Sequence, residues 1–136
     1  MRKLVKRGPT IVISGSCINF ESERTKIVGI LESFEEIIGK NFKHEVSSTG
    51  NSMGWDFFQI YLETDFVLAL FDFYPEMTNY EGNTIEEQFV LWFKEKLKKR
   101  ELDYHLKLVD IPFDVPKGFR LDPNYYRNDK DLESLR

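Results

Sequence analysis

One cysteine and two histidines are all that this 136-residue chain offers toward sulfur or imidazole chemistry. A lone Cys17 excludes an internal disulfide, which fits a reducing compartment. His44 and His105 lack the spacing of a zinc site, so no metal and no cofactor are expected. A nucleophile pair of Cys17 with either histidine has no signature around it, and a single cysteine is more often a small buried residue. Glycine-rich phosphate loops of both nucleotide-binding kinds are missing. Gly15 and Ser16 precede a predicted helix, where backbone N–H groups can hold an anion. One glycine is no fingerprint, however, and Ser16, Asn19 or Ser22 as an N-cap accounts for the pattern. No catalytic residue is assigned, and an enzyme is not expected.

Long apolar runs are absent too. None approaches the roughly 18 residues of a membrane helix. The basic start MRKLVKR leads into the apolar stretch TIVIS, but this is shorter than the roughly 7–15-residue core of a signal peptide, and Pro9 interrupts its approach. The expectation is a cytoplasmic protein with no membrane role.

The third scarcity is of base. Residues 45–93 contain no lysine or arginine but nine acids, leaving all 19 bases and 14 acids to the rest of the chain. The net charge of −4 therefore hides a polarised sequence. Twelve of the 20 aromatic residues fall in the same span, which includes the stretch WDFFQIYLETDFVLALFDFYPEM.

What is present reads as one α+β domain over residues 1–111, with an extended tail over 112–136. TIVISGS (residues 10–16) is a β-branched strand ending at a glycine. Ile27, Ile30, Leu31, Phe34, Ile37 and Ile38 recur at spacings of three and four, an amphipathic helix over 21–40. Residues 41–46 suit a short optional strand, and SSTGNSMG (47–54) reads as a flexible turn. Strands are then expected at 55–62 and 67–74, paired as a central hairpin through ETDF. That register gathers Phe58, Ile60 and Leu62 with Val67, Ala69, Phe71 and Phe73. Asp56 and Asp72 would approach each other only after a slip of one residue.

Thr84 and Glu87 have the spacing of a capping box, opening a second helix that runs to about residue 100. Tyr104, Leu106 and Leu108 alternate along a last strand over 103–111. The order β-α-(β)-β-β-α-β, with two helices on one face of an antiparallel-dominated sheet, matches the ferredoxin-like plan.

Two readings of the charge layout compete. In one, the aromatics are core and the acids are solvated turns and helix starts, with Glu86 and Glu87 placed well for the dipole. In the other, the span forms an acidic, aromatic surface that docks a basic partner, with Trp55, Glu63, Asp65, Asp72, Glu76, Tyr80 and Glu81 as its contact residues. Apolar positions on both faces of the expected hairpin favour the second reading, although the tail after Pro112 would cover a second face equally well. Nucleic acid is not expected on the sheet: the aromatic-plus-basic strand motif of RNA-recognition domains is missing. Asp56, Glu63 and Asp72 on its strands would also repel phosphate.

In overall character the chain resembles the small immunity proteins that bacteria pair with polymorphic or contact-dependent toxins. The likeness lies in a compact acidic domain with many aromatics, one cysteine and no catalytic motif. It implies a stoichiometric inhibitor that covers a cognate, basic toxin, often a nuclease. The alternatives are a small-molecule-binding or enzyme domain using the open sheet face, and a homo-oligomer subunit such as a homodimer.

Overall fold

The computed structural model describes residues 8–102, 104–109 and 115–120. Strand β1 (Thr10–Cys17) leads into helix α1 (Phe20–Ile38), followed by β2 (His44–Ser52), β3 (Trp55–Glu63), α2 (Thr64–Phe73), a 3-10 turn (Pro75–Asn79), α3 (Ile85–Lys98) and the short β4 (Lys107–Leu108). The four strands form one antiparallel sheet in the order β2-β3-β1-β4. Since β1 and β2 both run antiparallel to β3 between them, β1-α1-β2 is a split crossover, as the ferredoxin-like plan requires.

The sheet's core face carries Ile11, Ile13, Val46, Phe58, Ile60 and Leu62. It packs on Ile27, Leu31 and Phe34 of α1, Phe66 and Leu70 of α2, and Phe89, Trp92 and Phe93 of α3. Asn19 caps α1 by accepting the Ser22 N–H, and Gly39 ends the helix at φ 79°, where a glycine is favoured. Half of the expected capping box forms at α3: the Thr84 hydroxyl accepts the Glu87 N–H at 3.2 Å, while the Glu87 carboxylate accepts the N–H of Asn83 rather than that of Thr84. Glu86 is fully buried rather than solvated. Its place in the first turn of α3 favours its charge there.

Two expectations need correction. The expected strand at 67–74 is part of helix α2, so the central hairpin through ETDF does not exist. As a strand, this segment would put apolar residues on both faces. As a helix it buries Phe66, Val67, Leu70 and Phe71 together, a sorting that the 3.6-residue period achieves and alternation cannot. Asp72 therefore lies on a helix, and no slip of register brings it to Asp56.

The hairpin that does form joins β2 to β3. Residues 47–52, expected as a turn, are strand, and only Met53 and Gly54 turn. Their φ values of 54° and 86° suit the tight two-residue turn that matches strand twist. This stretch is an edge strand with solvated side chains and a bulge between Ser48 and Gly50. It has no hydrophobic pattern to distinguish it from a loop.

Residues 115–120 lie on the second face of the sheet. The Phe119 ring packs against Tyr61 with centroids 6.1 Å apart, Lys43 Nζ donates to the Gly118 carbonyl at 2.7 Å, and Thr10 Oγ1 donates to the carbonyl of Arg120. Thr10, Val12 and Tyr61 are buried. The rest of the expected tail, and positions 103 and 110–111 of the expected last strand, lie outside the described residues.

Candidate docking surface

Helix α2 follows β3 without a loop. At the junction, Thr64 donates its N–H to the Pro9 carbonyl at 3.0 Å and its hydroxyl to that of Gly8. The two residues that lead into β1 thus fix where the helix starts. Because Phe66, Val67, Leu70 and Phe71 face the core, the helical period turns Asp65, Leu68, Ala69, Asp72 and Phe73 outward as one stripe. Asp65 and Asp72 are exposed, Leu68 and Ala69 are half-buried, and Phe73 is 49% exposed. The stripe is an apolar strip with a carboxylate near each end.

The dipole accounts for one of these acids only. Asp65 sits in the first turn of α2, where negative charge is favoured, whereas Asp72 sits in the last turn, which has no base. The dipole alone disfavours an acid at such a position by on the order of 0.3–1 kcal/mol.

The remaining expected contact residues do not gather around this stripe. Glu63 accepts the Lys43 N–H at 2.6 Å, so its carboxylate ties β3 to the lead-in of β2. Glu76, exposed in the 3-10 turn, reaches Trp92 Nε1 at 3.5 Å. The Tyr80 hydroxyl donates to Glu95, and this bond, aided by burial and the charges of Glu95 and Glu76, pushes its pKa up to about 12. Glu81 is exposed in the loop before α3. Trp55, 48% exposed, is at the far end of β3 from Glu63, roughly 26 Å away at strand rise. Asp65 and Asp72 share one helix face, Glu76, Tyr80 and Glu81 continue along the chain, and Trp55 stands apart. Leu68 and Phe73 belong to the outer stripe, which the strand expectation for 67–74 hides; their spacing from Asp65 by three and eight is the signal that the sequence carries.

Cys17 is buried, and its thiol pKa is raised first by that burial and then by the charges of Asp56 and Glu23. This is the reverse of the environment that activates a thiolate. Among the described residues, no group of three His, Cys, Asp or Glu is placed to hold a metal ion, and no helix is long and apolar enough to cross a membrane.

Comparison with family models, with curated proteins and with solved structures returned no match.

Proposed function

We propose that the chain is a non-enzymatic protein-binding domain of the immunity type, acting in the cytoplasm by covering a basic toxin, most fittingly a nuclease. The reading rests on the outer stripe of α2. Its apolar centre suits a protein contact, and the exposed carboxylates of Asp65 and Asp72 flank it with negative charge. In a span without a single base, Asp65, Asp72, Glu76 and Glu81 are all exposed, and such a field speeds the approach of a positive partner.

Binding kinetics against the product of the neighbouring gene, over a salt series, test this. Reversing Asp65, Asp72 and Glu81 to Lys should slow association about tenfold at low salt and much less at high salt, because such charges act on encounter. Phe73→Ala should instead speed dissociation, as loss of a desolvated aromatic anchor does. Association that ignores both salt and the three reversals would reduce the acidic span to a solvated surface.

A further inference from the structure

The end of the sheet's second face that the described residues leave open holds a hollow of about 460 Å³, lined in part by Ser14, Ser16, Asn51, Phe57, His105 and Lys107. Its volume is in the range of small-molecule sites. Phe57 is 41% exposed, and its cross-strand neighbours are Gly50 on β2 and Ser16 on β1. One has no side chain and the other a single hydroxymethyl group, so a flat ring has room beside the phenyl group. Toward the β4 edge, Lys107 pairs with Ser14 and supplies a cation, while the His105 imidazole offers a ring nitrogen.

Among the described residues, none that lines the hollow is a carboxylate. The acids expected to repel phosphate from the sheet are elsewhere. Asp56 points to the core side, where it accepts the Phe20 N–H at 2.9 Å; Glu63 is at the other end of β3; Asp72 is on α2. The adjoining hollow, of about 710 Å³, shares Ser16 and His105 but brings in Glu23 and Glu101, which makes it the poorer anion site. At the far end of the face, Phe119 on Tyr61 closes the path that an extended nucleic-acid strand would follow.

We propose that this hollow binds a nucleoside monophosphate, with the base against Phe57 and the phosphate at Lys107 and His105. From Phe57 on β3 across β1 to the β4 side is two strand spacings, roughly 10 Å, a span that base, sugar and phosphate cover end to end. Ser14 and Ser16 on β1 lie between as partners for the sugar hydroxyls, while Asn51 on β2 lines the hollow on the other side of β3. The site is separate from the outer stripe of α2, so either proposal can fail without the other.

Calorimetric titration of the full chain with AMP, GMP, CMP and UMP tests it, with adenosine, ribose 5-phosphate and a short single-stranded oligonucleotide as comparisons. At least one monophosphate should bind saturably, and removing its base or its phosphate should weaken binding about tenfold or more, as loss of a stacking contact does. Phe57→Ala and Lys107→Gln should each cost a similar factor, whereas Asp65→Lys should change nothing. Thermal melts of the two hollow variants should match the parent, since both side chains are exposed. Absence of saturable binding by all four nucleotides, binding indifferent to Phe57→Ala and Lys107→Gln, or an oligonucleotide held more tightly than any monophosphate would each overturn the proposal.

Discussion

At Gly15 an added β-carbon would lie 2.5 Å from Cζ of Phe58 and 2.9 Å from Cδ2 of Leu106. Both neighbours are buried core side chains, so neither can swing into solvent to make room. Gly15→Ala should therefore destabilise by about 1–3 kcal/mol, the usual cost of overpacking, seen as a lower urea midpoint with an unchanged slope. A variant as stable as the parent would mean that Phe58 does not pack beneath this position. In the sequence, Gly15 marks the end of a strand, yet β1 continues to Cys17. Glycine within a strand serves either as punctuation or as clearance for a neighbour, and only the three-dimensional packing tells which. Thr84 was legible for the opposite reason, and the cap of α1 was narrowed to Ser16, Asn19 or Ser22: a cap is local, set by residues two or three positions away.

The same contrast separates the elements. Helices α1 and α3 were readable because most of the apolar residues of each fall on one stripe, although Glu35 and Glu86 are buried and Ile37 and Leu91 are exposed. Segment 65–73 has hydrophobic residues at both parities and at both helical stripes, so alternation and 3.6-residue periodicity fit it about equally. Burial decides between them. The helix puts Phe66 in the core, its ring stacked on Phe42 with centroids 5.1 Å apart, and leaves Phe73 half-exposed. The expected strand would have set Phe73 beside Phe71 on a buried face. Phe66→Ala should accordingly cost about 3–5 kcal/mol, and Phe73→Ala no more than about 0.5 kcal/mol. Denaturant melts of the two variants check this, and equal losses would restore the strand. The candidate site inherited the error: Asp65 and Asp72 were named from charge alone, while Leu68 and Phe73, visible only with the helical period, were not.

Across the whole molecule, two tyrosine–carboxylate bonds fasten the chain after α2 to the helices, and they make its stability sensitive to alkali. Tyr104, just before β4, donates its hydroxyl to Glu23 of α1 at 2.9 Å; Tyr80, after the 3-10 turn, donates to Glu95 of α3. Burial first, and then the bond to Glu23, raise the Tyr104 pKa well above its ordinary value of 10.0. Tyr80 is raised to about 12, chiefly by its bond to Glu95. A group whose folded pKa exceeds its unfolded one gives its full stabilisation below the unfolded value and loses it as pH rises through the folded value. The loss should therefore begin near pH 10 and continue through about pH 12. Tyr104 should dominate, because solvent screens the more exposed Tyr80 pair. Urea midpoints taken from about pH 8 to about pH 12 should fall, and Tyr104→Phe should flatten that fall while lowering stability at neutral pH. Lysine deprotonation over the same range acts equally on parent and variant, so the difference between their profiles isolates the tyrosine. Parallel profiles for the two proteins would show that the Tyr104–Glu23 bond does not hold the lead-in of β4 to α1.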